Sequence, residues 1–436
     1  MGVWRSVPPA DAGRRAIVPR MTPPTPPRRR TRARAAALGA ALLALALPST
    51  SVAAPKPAAP REAAPRHGSE ACDRTPGPLS GDARRVLDIA RKARKDLKLN
   101  AVLLRVTVDG RELVTGALGE SMTGVPAQPD MHFRAGSVAF AHIGTALLRL
   151  VEQRRVGLDD TVERWLPEVP RAGEITLRML ANNTSGLHDY VTDPAFGAEL
   201  TAHPFKQWTP DELLAFPFSH DFWYDPGTNW SYSHANYLLL RRALERITGT
   251  RIDRLVRELV TGPLGLRETR NSFTPEIPEP VLHAFTSDRG LYEESTFWNP
   301  SWTTGPGAVI TSTVCDMARS AQGIGSGELI SPRSYRVLLD PGTVGLGTPT
   351  STCPATICLK QTEERHFGLG VIVSGGWLLQ NPSFSGYAAL QAYLPEKRLA
   401  IAVSATKTAT TGEGNMAQVV AGRIAAALAP EDPLVP

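Results

Sequence analysis

Ser137 occupies a position suited to a nucleophile: it opens a helical run, Ala139–Arg154, directly after a loop ending in Ala135 and Gly136. A serine hydroxyl is a weak nucleophile at its own high pKa and needs a neighbouring base to attack a carbonyl. The residue one helical turn on, on the same face, is the natural place for such a group. That residue is Phe140, whose ring neither accepts a proton nor carries charge. Losing an activating base costs on the order of 10²–10⁴ in rate. His234, which follows Tyr232 and Ser233, is a candidate base by residue type alone, because an imidazole titrates near neutrality. His142 is a poorer one: five residues beyond Ser137, it points about 140° around the helix. His188 lies in a segment where rim binding suits it better than base work. The structural alternatives are an N-cap role for Ser137 and simple packing for His234 and Phe140.

The 436-residue chain is large enough for one sizeable core plus tails. Its net charge of +6 is unevenly placed. Residues 1–54 carry nine arginines and one acid, a net of +8, so the remainder carries −2. No basic stripe with interleaved aromatics is present there, which argues against nucleic acid as a partner. Arg28, Arg29, Arg30, Arg32 and Arg34 precede an apolar run, Ala35–Leu47, that Pro48 breaks before Ser51, Val52, Ala53 and Ala54. This order predicts a signal peptide over 1–53, with Met21 as an alternative start and cleavage after Ala53. The apolar run is shorter than the roughly 20 residues of a membrane span, so export without a stable anchor is expected. The arginines also resemble a twin-arginine signal. Four cysteines (Cys72, Cys315, Cys353 and Cys358) suit an oxidising compartment. Cys353 and Cys358 are spaced for a local bridge, and four free thiols are the alternative. No pairing of Cys and His has zinc-ligand spacing.

Residues 54–79, rich in Pro, Ala and charge, read as a linker, leaving 80–430 as the folded domain. Asp82–Leu97 has helical spacing. Two β-rich runs, Ala101–Val108 and Arg111–Leu118, flank Asp109 and Gly110 and predict a hairpin. A long helical section follows, with helices expected at Ala139–Arg154, Leu177–Asn182, His234–Thr248 and Ile252–Val260. Strand patterns return at Gly368–Ser374, Tyr387–Leu394 and Leu399–Ala405, before a last helix at Asn415–Ala427. The plan predicts an α+β fold: a five-stranded antiparallel sheet flanked by terminal helices, with an inserted all-helical lobe. A cleft between sheet and lobe is a natural ligand site.

The run Phe133, Arg134, Ala135, Gly136, Ser137, Val138, Ala139, Phe140 resembles the Phe-Arg-Ile-Gly-Ser-x-x-Lys signature of serine β-lactamases and D-Ala-D-Ala carboxypeptidases. It is most similar to the branch of class C β-lactamases, related carboxypeptidases and esterases. The resemblance spans about residues 82–428 and includes Leu150–Asp160, Ile175–Leu187, Trp230–Tyr237 and Gly305–Asp316. It implies a β-lactamase/transpeptidase-like fold and acyl transfer on a serine, with no metal and no cofactor.

Three departures stand out against that resemblance. Phe140 occupies the lysine position, the Tyr-x-Asn motif has become Tyr232, Ser233 and His234, and the His-x-Gly position falls on Gln380, Asn381 and Pro382. The resemblance implies Ser137, Tyr232 and His234 as the catalytic set, conditional on His234 acting as base. It implies Gln380, Asn381 and Phe140 as ligand contacts. The reading that follows is an extracytoplasmic, catalytically impaired homologue that binds a small peptide, acyl or cell-wall-like ligand. The alternative is an active serine hydrolase that uses His234 with Tyr232.

Overall fold

The computed structural model describes residues 72–79 and 81–434. The expected signal peptide and all but the end of the expected linker lie outside them. The main sheet contains β1 (Leu99–Val108), β2 (Arg111–Met122), β3 (Val125–Pro126), β4 (Arg365–Phe367), β5 (Ile372–Ser374), β6 (Trp377–Gln380), β7 (Ser383–Phe384), β8 (Tyr387–Leu394) and β9 (Leu399–Lys407). Their order is β3-β2-β1-β9-β8-β6-β5-β4, with β7 also paired to β8. All the pairings are antiparallel.

The α+β class agrees with the sequence reading, but the sheet has nine strands among the described residues instead of five. The expected strand Gly368–Ser374 is the clearest correction. Gly370 turns the chain at φ +85°, so β4 and β5 form two arms of a hairpin in place of one strand. Gly375 and Gly376 then turn it again into β6, both at positive φ. The Asp109–Gly110 turn was legible. Both residues have positive φ, the conformation a two-residue hairpin requires.

Side chains alternate across the sheet. Val102, Leu104 and Val106 of β1 pack with the terminal helices α1 (Gly81–Asp96) and α5 (Met416–Leu428). Ala101 and Leu103 point the other way, into a core shared with Met317 and Ala318 of α4 (Val314–Gly325). The long insertion folds around α2 (Val138–Glu152) and α3 (His234–Thr248). The lobe is not wholly helical. A small sheet of Phe133–Arg134, Val309–Ser312 and Arg270–Ser272 leads the chain into α2.

All four cysteines are paired, as Cys353–Cys358 and as Cys72–Cys315. The second bridge ties the segment before α1 to α4 across 243 residues of sequence. Because a long closed loop restricts the unfolded chain most, replacing both Cys72 and Cys315 by serine should cost about 2–4 kcal/mol. The matched double replacement at Cys353 and Cys358 should cost less. Urea unfolding of the two variants checks the order.

Candidate functional site

Ser137 is the N-cap residue of α2, yet its side chain makes no capping hydrogen bond. The N-cap role therefore applies to its backbone and not to its hydroxyl. The hydroxyl instead accepts from the Tyr232 phenol at 3.4 Å. Gly136 fixes the approach. It has φ +43°, and a Cβ there would stand 2.6 Å from Cβ of Pro382. Only glycine lets the 382–384 edge lie this close to the start of α2. Upstream, the buried Arg134 donates to the carbonyls of Thr296 and Pro275 and so anchors the strand that delivers Ser137.

Phe140 is fully buried, its ring stacked on Tyr237 with centroids 3.7 Å apart and planes 4° apart. Tyr232 and the edge of His234 lie at 5.8 and 5.7 Å. Phe140 is therefore a floor beneath the cavity and does not line it, which corrects its assignment as a ligand contact. Its helix face turns inward onto α3.

The loop before α3 is held by Asn183, whose side-chain Oδ1 accepts from the Ser233 N–H and from the Asn236 amide. Asp189 was absent from the sequence reading, and it does two things here. Its carboxylate accepts from the His234 backbone N–H at 3.1 Å, capping α3 from outside, and lies 3.0 Å from His234 Nδ1. Both side chains are largely buried, at 7% and 13% exposure. An Nδ1–H held by a carboxylate leaves Nε2 as the acceptor nitrogen. Nε2 has no protein hydrogen bond among the described residues, and none joins His234 to Ser137 or Tyr232. The Tyr232 phenol is raised above its ordinary range by burial, against a smaller lowering by the Ser137 bond, and so stays protonated.

Ser137, Tyr232 and His234 line one cavity of about 390 Å³ together with Gln380 and Asn381. The two amides are turned largely into the protein. Gln380 donates to the Gly370 carbonyl at 2.6 Å, and Asn381 donates to Gln418 at 2.5 Å. Asn415 pins the same edge by donating to the carbonyls of Asn381 and Pro382. The remaining walls include aromatic residues (Trp230, Trp302, Phe367 and Phe384) and two basic ones (Lys360 and Arg365).

His142 lies away from the cavity, as its helix position predicted, with Nε2 against Ser320 at 2.9 Å. His188 stacks between Trp223 and His220 beside a neighbouring cavity of about 310 Å³. No group of three or more His, Cys, Asp or Glu among the described residues has the arrangement of a metal site.

The Beta-lactamase family model matches residues 88–425. Penicillin-binding protein 4 from Amycolatopsis lactamdurans is 27% identical over 63% of this chain and 68% of its own. Penicillin-binding protein 4* from Bacillus subtilis is 31% identical, over 36% of this chain and only 34% of its own length. The chain thus spans between a third and about two thirds of these relatives. In structure it is similar to a D-stereospecific amidohydrolase from a Streptomyces species, with a TM-score of 0.64 and 24% identity over 78% of this chain and 97% of that one.

Truncating Phe140 to alanine should destabilise the fold by about 3–5 kcal/mol, with leucine costing less, as read by urea unfolding. Burial pushes His142 down to about 4, while in the unfolded chain it titrates near 6.5. The unfolded state therefore binds the extra proton between those values. This group's contribution is steady above pH 6.5 and falls as pH drops toward 4, by up to about 1.4 kcal/mol per unit. Comparing wild type with His142→Gln over pH 4–7 isolates that slope, which the variant should lack.

Proposed function

The chain belongs to the Beta-lactamase family, and from that premise we propose that it is an exported, catalytically impaired member that binds a small peptide, acyl or cell-wall-like ligand at Ser137. One observation carries this reading. The Ser137 hydroxyl has a neutral phenol as its partner, and a stacked phenyl ring fills the position one turn on. Tyr232 donates to Ser137 and is a poor acceptor for the serine's proton. The cavity itself is intact, with apolar walls and a few convergent polar groups, the usual make-up of a small-molecule site. Export is supported by the two disulfides, which persist in oxidising compartments. No helix among the described residues is long and apolar enough to cross a membrane.

A second reading is favoured by the Asp189–His234 pair. In it, Ser137 attacks an ester or amide carbonyl while Nε2 of His234 takes its proton. The imidazolium then protonates the leaving group, with Asp189 holding the ring. A water or a small side-chain rotation must first join His234 to Ser137.

The two are separated by incubating the protein with a nitrophenyl ester and with a fluorescent penicillin, then mapping any covalent label by mass spectrometry. The expected result is no label at Ser137 and turnover equal to that of Ser137→Ala. Label or turnover abolished by both Ser137→Ala and His234→Ala would replace the binding reading with the hydrolase. Asp189→Asn should then lower turnover by about 10²-fold or more.

A further inference from the structure

The terminal helix α1 carries a charge pattern that the Ser137 cavity does not use. Residues 81–98 hold seven Lys and Arg against three Asp, a net of +4. Residues 55–436 carry −2 in all, so those outside 81–98 carry −6. Five of the cations, Arg84, Arg85, Arg91, Lys92 and Lys95, are exposed. At about 100° per residue they fall within an arc of about 120°. The opposite side of α1 holds Ala83, Val86, Ala90 and Ala93, buried against the sheet. The packing of the helix therefore fixes the arc outward. None of its residues lines the Ser137 cavity.

An ordinary solvated helix face is stabilised by opposite charges three or four residues apart. Here Arg91 pairs with Asp88, and Lys92 pairs with Asp96 at 2.9 Å. Asp96 is shared with Arg423 of α5, also at 2.9 Å. Arg84, Arg85 and Lys95 have no ion-pair partner among the described residues. Lys95 follows Lys92 by three residues and Arg91 by four, spacings at which like charges repel. Arg84 closes the first turn, where the helix dipole favours anions. The helix thus holds cations where its own electrostatics oppose them.

We propose that this arc of α1 is a docking surface for an anionic phospholipid bilayer, engaged through the phosphate headgroups. Arg84 and Lys95 lie eleven residues apart in the sequence. That is about 16 Å along the helix axis, too far to converge on one phosphate. The partner must therefore present its phosphates as an array. A flexible polyanion running beyond α1 would meet the negatively charged remainder of the chain. A plane touches one face only, and its repulsion of that remainder leaves α1 as the side that approaches. Each cation near such a surface adds attraction that falls off within a Debye length.

The test is vesicle flotation at low salt with the chain from Ala54 on, the form expected after export. Vesicles of equimolar phosphatidylglycerol and phosphatidylcholine should carry the protein, and vesicles of phosphatidylcholine alone should not. Combining Arg84→Gln, Arg85→Gln and Lys95→Gln, with glutamine a comparable helix former, should weaken binding on the order of 10²-fold. The same change of net charge made at the exposed Arg111, Arg270 and Arg333 should leave binding nearly unchanged. Added salt should release the protein. Equal binding to both kinds of vesicle, or equal loss in the two triple variants, would overturn the inference. So would failure to float with either vesicle, whether or not long-chain polyphosphate binds. Release by inorganic phosphate, but not by sodium chloride of equal ionic strength, would also overturn it and assign a single-anion site instead. The replaced side chains are exposed and unpaired, so both variants should fold normally, which their urea transitions check.

Discussion

A stack of two rings, Phe140 on Tyr237, sets the character of the whole cleft. An ammonium in that place would have to be desolvated, and it would need a partner to survive there. A phenyl ring needs none, and it packs face to face against α3 at 3.7 Å. The consequence spreads outward. With no positive charge beneath it, Tyr232 is held neutral by burial. A neutral phenol leaves Ser137 with a donor and without a base. Ser137 still opens α2, while the position one turn on is filled by apolar ring packing.

Asp189 and His234 show how one set of bonds supports two readings. The carboxylate satisfies the first N–H of α3, at the end of the helix where negative charge is favourable. The same carboxylate clamps the imidazole, which fills the gap between Tyr232 and Trp302. Nothing in that arrangement requires chemistry, because helix capping and ring packing account for every bond. Yet the clamp also selects the tautomer that a general base needs. What separates the two readings is the gap to Ser137, which no hydrogen bond crosses.

The parts legible in the sequence were local. The Asp109–Gly110 hairpin followed from turn chemistry, and His234–Thr248 followed from 3.6-residue spacing ended by Gly249. The turn at 368–371, between the strands Arg365–Phe367 and Ile372–Ser374, was missed, although Gly368 and Gly370 were readable turn signals. At the site, Ser137, Tyr232 and His234 come together as their order suggested. Phe140 and Asp189 were misread or missed for one reason, the non-local origin of their partners. Phe140 meets a ring 97 residues away, and Asp189 meets an imidazole 45 residues away. Spacing along one helix says which residues share a face, and it does not say what that face will meet. Gln380 and Asn381 line the same cavity, with the amides of both drawn inward by Gly370 and Gln418.

On the proposed binding reading, the cavity serves recognition and its serine stays idle. Catalysis requires interactions that strengthen in the transition state. Several polar groups near Ser137 are engaged within the protein: Tyr232 with the serine, His234 Nδ1 with Asp189, and the Gln380 amide with Gly370. Ground-state recognition makes a different demand, for apolar area. On the proposed reading, the aromatic wall supplies that area, and the ligand's carbonyl has no need to react.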